Sequence, residues 1–567
     1  AELFGMSARL ENLLLTSEKF STLAGMTVGE VKLEGETPRD INGSEIPHGK
    51  ELAEAWRFEL FTQDHNYMGW HGAQSEFDKM EMKKRGLAIS SNVLSSSLNS
   101  IVSHIQTKSI KGAPVVVFNP LSWERTDIAT IDISSLGDVN PHVLAVRNQE
   151  GQQVSHQVIE KGGQLVLCFH AQNVPSLGYA TSYVGDADGI VRPHVPFASI
   201  YEFQGDLVVN NDFLVVKVNK KSGTTESIYD KEYKKELVGV SGEMLFGEII
   251  SYEDPKVDVR YGFTGNKTRS AFDLYDVTIS QTGPLFTTIL ASGIFLDARV
   301  EREIVIYHTV KKIDFNVKIY WWGKKGEHIR LSLPFNDENY QATWYGVPFY
   351  AMQWPNMLQG VEDESILDRG AKEAGDELFP QDRKHFREVI KWLDVQYDTL
   401  GVTVATRSTS FRITDQVIEP VLLRTQYSCG DHRLWSLNQG KHEWQFTISS
   451  HQGNWKDGKS YRRGWELNNP LVSVLQKVKS GDANLPEANS FVSISQPNIV
   501  VTAIKKAYNG NGTIVRLVEM EGKDTKAEIH LPKPIQALYR VNLLEEDPEP
   551  VKAILIKAHG IETFLVK

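Results

Sequence analysis

Gly112-Ala113-Pro114-Val115-Val116-Val117-Phe118-Asn119-Pro120-Leu121-Ser122-Trp123-Glu124-Arg125 marks a change of pattern in the chain. Val115 to Phe118 are β-branched or aromatic without a polar break, which reads as a strand buried on both faces. Asn119-Pro120 stops it, because proline has no N–H to give a ladder and restricts the residue before it. From there to Lys567 the sequence is a succession of short β-rich runs separated by turn residues, among them 207–209, 213–218, 304–307 and 314–321. Residues 312–318 alternate polar and apolar, as in an antiparallel sheet with one solvated face. Before Gly112 the period is helical. Met6, Leu10, Leu13, Leu14, Phe20 and Ala24 form one stripe, and Gly35 to Gly49 is a loop. A second helix is predicted over Glu51 to Gln63, burying Leu52, Trp56 and Leu60, and a third over about Ser75 to Thr107. The fold class this implies is multidomain α+β: an N-terminal three-helix bundle over 1–110, followed by large antiparallel β-sandwich (supersandwich) domains. A first β domain is expected over 111–200, a large supersandwich over 201–480 and a C-terminal sandwich over 481–567.

Composition narrows the function class. The 567 residues are 41% hydrophobic and 23% charged, with a net charge of −11, a pI near 5.9 and a mean hydropathy of −0.30. An acidic chain without a basic face argues against a nucleic-acid partner. No apolar run approaches the length of a membrane span, so no membrane partner is expected. The two cysteines, Cys168 and Cys429, exclude a disulfide scaffold and a thiolate metal site. The acidic stretch from Glu362 to Glu377 reads as a solvated surface excursion. Sequence alone gives no compartment.

Phe61-Thr62-Gln63-Asp64-His65-Asn66-Tyr67-Met68-Gly69-Trp70-His71-Gly72 concentrates the chemistry. It places an acid, an imidazole and a carboxamide side by side where a helix gives way to a glycine-containing turn. An imidazole between Asp64 and Asn66 can bind a metal, while its neighbours can bond the hydroxyls of a polar ligand. The same residues also read as a polar helix C-terminus, with His65 near the last carbonyls and Gly69 closing the turn.

Leu52-Ala53-Glu54-Ala55-Trp56, Leu60 and Gln63-Asp64-His65-Asn66 together resemble the end of a helix in glycoside hydrolase family 38, the α-mannosidases. His65 matches that family's zinc-ligating histidine. Asn66 stands where its better-known members carry Asp, and Asp64 where many carry His or Phe. Further matches follow in order. Val115 to Arg125 resembles the strand opening the family's β region, and Asn211 to Val216 with Ser222-Gly223 and Ile228 to Asp230 a hairpin of it. Tyr345-Gly346-Val347-Pro348-Phe349 is similar to another strand, with Tyr350 in place of a Gly. Asn468-Asn469-Pro470-Leu471 and Ile514 to Glu519 complete the series.

The resemblance implies part of a zinc-dependent retaining α-mannosidase acting on terminal α-mannosidic bonds of a mannose-containing oligosaccharide. It assigns His65 to one zinc ion and Asp64 or Asn66 to sugar hydroxyls, with Tyr345 and Arg516 as further substrate-binding candidates. The nucleophile, the acid/base carboxylate and the remaining zinc ligands are expected from an N-terminal α/β domain of the same enzyme, which has no counterpart in these residues. The chain on its own is therefore expected to be an inactive fragment without a catalytic residue. Tyr345 can equally be a cross-strand packing aromatic, and Arg516 a partner of an acid on a neighbouring strand. Two alternatives are a non-catalytic carbohydrate-binding scaffold and a polysaccharide lyase. The lyase is disfavoured by a helical part of only three helices.

Overall fold

The strand expected after Pro114 forms as Ala113–Asn119 in the computed structural model, which describes every residue except 1, 41, 64–72, 109, 137–139, 141–142, 188–197, 240–241, 254–266, 270–274, 356–385, 408 and 426–434. Val115 to Phe118 are at most 1% exposed, as a strand covered on both faces requires. Asn119 ends it by using its whole amide. Nδ2 donates to the carbonyls of Trp123 (2.7 Å), Val174 (3.2 Å) and Pro175 (3.1 Å), and Oδ1 accepts from the Leu121 N–H (3.1 Å). Only a side chain with both donors and an acceptor can tie this corner.

The chain forms two units, Met6–Val195 with Asn468–Lys567, and Pro196–Leu467 with Ala1–Gly5. The segments expected at 1–110, 111–200 and 481–567 thus fall largely in the first of these, and most of 201–480 in the other.

In the discontinuous unit, α1 (Glu2–Thr27), α2 (Glu51–Phe61) and α3 (Ala73–Ser103) enclose Leu10, Leu14, Ile46, Ala55, Phe58 and Ile89. Gly86 lets α3 approach α1, since a Cβ there would meet the Leu10 side chain at 2.8 Å. A second core joins Phe20, Leu98 and Ile101 of the helices to Phe118, Tyr179 and Phe491 of the sheets. The sheet carrying Ala113–Asn119 is entirely antiparallel, with that strand between Val472–Leu475 and Gly178–Asp186. Val115 pairs with Leu475 on one side and Ser182 on the other. It packs on a three-stranded sheet built around Gln164–Val174, with Val117, Leu167, Phe169 and Ala180 between the two. The C-terminal sheet runs in the order Ile499–Lys506, Thr513–Glu519, Ile561–Val566, Leu538–Val541, Glu549–Pro550.

The other unit is the supersandwich. Sheets of five, six and nine antiparallel strands share one continuous core that includes Val216, Ile304, Phe315, Leu331, Val402 and Ile413. The alternation read over 312–318 appears in Ile313–Trp321, where Phe315, Val317 and Ile319 face the core and Asn316, Lys318 and Tyr320 are half-buried. At one edge of this core Asp394, fully buried, accepts through Oδ2 from Ser460 (2.7 Å) and Thr403 (3.0 Å), and His451 Nε2 lies 2.7 Å from the same oxygen. Gly401 and Gly458 make the slot for the imidazole, because a Cβ at either would run into the ring. Ser460 opens α4 (Ser460–Asn468), so this cluster pins the helix to three strands of the nine-stranded sheet. Among the described residues no helix is long and apolar enough to cross a membrane.

Candidate functional site at the end of the helical bundle

Asp64, His65 and Asn66 lie outside the described residues, but the elements on either side of them are defined. The last turn of α2 closes with Thr62 N–H on the Phe58 carbonyl (3.3 Å) and Thr62 Oγ1 on the Glu59 carbonyl (2.8 Å). Gln63 is the last described residue before the turn. Its Nε2 donates to Glu59 Oε1 (2.5 Å) and Ser7 Oγ (2.8 Å). Glu59 in turn pairs with Lys83 of α3 at 2.9 Å, with the two side chains 4% and 1% exposed, and Ser7 donates to the same carboxylate at 2.5 Å. This network fixes where α2 ends relative to α1 and α3. A buried charge survives only when paired and hydrogen-bonded, and here both conditions are met.

The network also corrects the predicted face of α2. Leu60 is 65% exposed, while Glu51, Ala55, Phe58 and Glu59 are buried. The buried stripe is turned from the apolar one because the Glu59–Lys83 pair occupies the seam between helices. Phe61 and Phe77 are also exposed, at 56% and 59%, so apolar side chains gather at the ends of α2 and α3 nearest residues 64–72. Sequence reasoning missed Glu59 and Lys83. The only signal was a charged residue on each helix at a position that the true packing face covers.

The structure does not bring the remaining candidates together as one set. Tyr345 is 3% exposed in the core of the supersandwich, and its hydroxyl lies 3.8 Å from Met352 Sδ across the strand pair. That gives it the packing role in place of a sugar contact, because a buried ring has no face to offer. Arg516 is half-buried and donates through Nε to Thr563 Oγ1 (3.1 Å), its direct cross-strand neighbour, not to an acid there. Its charge is felt by Glu18 of α1, whose carboxyl accepts from Trp56 Nε1 at 3.0 Å. Burial raises the Glu18 pKa from its ordinary value, against the Trp56 bond and the charges of Lys505 and Arg516. Arg516 thus belongs to a mixed-charge group that includes helix residues Glu18 and Trp56.

Other residues of the quoted motifs are structural ties. Asn211 Oδ1 accepts from the N–H groups of Phe213 (2.9 Å) and Leu214 (2.8 Å), and Nδ2 reaches the Tyr307 carbonyl (2.7 Å). Asn469 receives Arg125 on its carbonyl (2.7 Å) and meets Thr16 and Asn12 of α1 through its amide. Glu519, fully buried, accepts from Asn498 Nδ2 and the N–H groups of Glu521, Gly522, Lys523 and His559. Among the described residues no group of three or more His, Cys, Asp or Glu is arranged to hold a metal ion. The described residues alone therefore do not supply a zinc donor set.

Comparison with known proteins agrees with this architecture unit by unit. Residues 209–428 match the glycosyl hydrolases family 38 C-terminal domain, and 498–564 match the glycosyl hydrolases family 38 C-terminal beta sandwich domain. The chain is 21% identical over 580 aligned positions to alpha-mannosidase G of Dictyostelium discoideum, covering 92% of this chain and 48% of that protein. It is 20% identical over 405 positions to alpha-mannosidase 2C1 of Homo sapiens, covering 69% of this chain and 35% of the other. It thus spans about half the length, or less, of these curated relatives. The fold is similar to that of an alpha-mannosidase from Enterococcus faecalis V583, with a TM-score of 0.76 at 13% identity, over all of this chain and 68% of that one. With both β regions matched in order and the helices and sheets of the family's architecture around them, the chain belongs to glycoside hydrolase family 38.

Proposed function

We propose that this chain is the helical-bundle and β-sandwich part of a zinc-dependent retaining α-mannosidase that hydrolyses terminal α-mannosidic bonds of glycans. The observation that carries the proposal is the pair of family 38 matches at 209–428 and 498–564, in one alignment with an α-mannosidase over 92% of the chain. In this reading His65 is one ligand of a single zinc ion. An α/β domain of the same enzyme supplies the other ligands, the nucleophile and the acid/base carboxylate of a double displacement. Bound zinc would hold sugar hydroxyls. Asp64 or Asn66 would bond hydroxyls beside it, and an amide at 66 would give a weaker metal contact than a carboxylate.

The chain's own described residues contribute positioning. Glu59, Lys83, Ser7 and Gln63 fix the end of α2, and hence the point from which residues 64–66 depart. Arg516 remains a substrate-side candidate because it is half-buried and shares its surroundings with Glu18 and Trp56.

Hydrolysis of an aryl α-mannoside, measured with zinc content, tests the proposal for this chain alone and for the chain joined to an α/β domain of the family. Activity and zinc in the joined protein, both lost on His65→Ala, are expected. A joined protein with neither would overturn the proposal in favour of a glycan-binding scaffold.

A further inference from the structure

A pocket of about 130 Å³ opens in the first β-sandwich of the discontinuous unit, where the turn after Leu144–Arg147 meets the strands Gln164–Val174 and Gly178–Asp186. Its floor includes Val117 and Ala180, and its walls carry Glu150, His170, Gln172 and Ser182. That volume is below the roughly 300–1,000 Å³ of drug-sized sites and suits one small ring.

The lining selects the chemistry. His170 Nδ1 lies 3.4 Å from Gln172 Nε2, while its Nε2 is buried without a hydrogen-bond partner among the described residues. Burial holds the imidazole pKa below its ordinary value, against the charge of Asp127, so the ring is neutral near pH 7. Ser182, Gln172 and His170 each combine donor and acceptor capacity, as sugar hydroxyls do. Glu150 disfavours an anion, and the nearby cation, Lys108, is already paired with Glu487 at 2.9 Å.

The wall is built in advance of any ligand. Asn148 Oδ1 accepts from the N–H groups of Glu150 (3.1 Å) and Gln152 (2.8 Å), and Lys108 Nζ donates to the Gln149 carbonyl (3.1 Å). A pocket so held loses little entropy on binding.

We propose that this pocket is a subsite for one uncharged polyhydroxylated ring, a single sugar residue of a glycan. It rests on the pocket itself and not on the chain's being part of a mannosidase. The test is a saturation-transfer NMR titration of the chain with methyl α-mannoside and methyl β-glucoside, with glycerol as a ring-free control. Saturable millimolar binding of a glycoside but not of glycerol is expected. Gln172→Ala should weaken it about three- to tenfold, the loss of one neutral hydrogen bond. Ser182→Leu, which fills the pocket, should abolish it. The proposal is overturned by absence of saturable glycoside binding, by equal binding of glycerol, or by binding that survives both Gln172→Ala and Ser182→Leu in folded protein.

Discussion

Asp394 receives two hydroxyls and an imidazole on one oxygen, and the partner with a titration near neutrality is His451. Burial opposes the charged ring, but the Asp394 charge and hydrogen bond, with the Gln452 carbonyl, outweigh it and raise the His451 pKa. A raised folded pKa gives stability that is complete below the unfolded value of about 6.5 and is lost as pH climbs through the folded value. The melting temperature should therefore fall as pH rises above about 6.5, and His451→Gln should flatten that slope. Glu519 behaves in the opposite sense. Burial alone would raise its pKa, but the His559 N–H, Asn498 and further N–H groups lower it. Its contribution is present above the unfolded value of about 4.3 and is lost as pH falls through the lowered one. Glu519→Gln should cost about 2–3 kcal/mol by urea titration at neutral pH, with less penalty in acid. Asn119, Asn211, Asn469 and Glu519 could all be picked out in the sequence, yet nothing local revealed that they act as ties. Part of each tie is local, but the rest reaches groups far along the chain, among them Val174 from Asn119, Tyr307 from Asn211, Arg125 from Asn469 and His559 from Glu519, which only the folded chain brings close.

Among the elements, α2 shows how a paired charge overrides hydrophobic periodicity. Its apolar residues predicted a buried stripe through Leu60, but the helix turns to bury Glu59 against Lys83 and leaves Leu60 exposed. Lys83→Met should cost about 3–5 kcal/mol in thermal unfolding, because it strands the Glu59 carboxylate, whereas the double change Glu59→Gln with Lys83→Met should recover much of that. Full additivity in that cycle would mean the pair is not coupled. The strand Gly178–Asp186 depends on a different device. A Cβ at Gly178 would collide with the Asn489 carbonyl, so this edge pairs closely only with glycine there. Gly178→Ala should destabilise by about 1–3 kcal/mol or more, read as a lowered urea midpoint. Helix and strand existence was legible because periods of 3.6 and 2 carry it. The face of α2 was not, because a charge pair across helices leaves no periodic trace.

For the molecule as a whole, the change of pattern at Gly112, the bundle before it and the antiparallel sandwiches after it were all readable. The grouping into two units, one of which joins 6–195 to 468–567, was not, since nothing near 113–119 in the sequence points to 472–475. Because each unit has its own core, Ile413→Ala should lower amide hydrogen-exchange protection chiefly in peptides from 196–467, as mass spectrometry can resolve. Protection lost evenly across both units would contradict this. The same discontinuity has a consequence during synthesis. Val116 pairs with Val474, about 350 residues later, so at roughly 5–20 residues per second the strand emerges from the ribosome some 20–70 s before its neighbour exists. For that interval an apolar strand edge stands open to any other chain nearby. The newborn protein should therefore depend on chaperones that occupy such edges, and its yield should respond more to translation speed through 196–467 than to the stability of the finished fold.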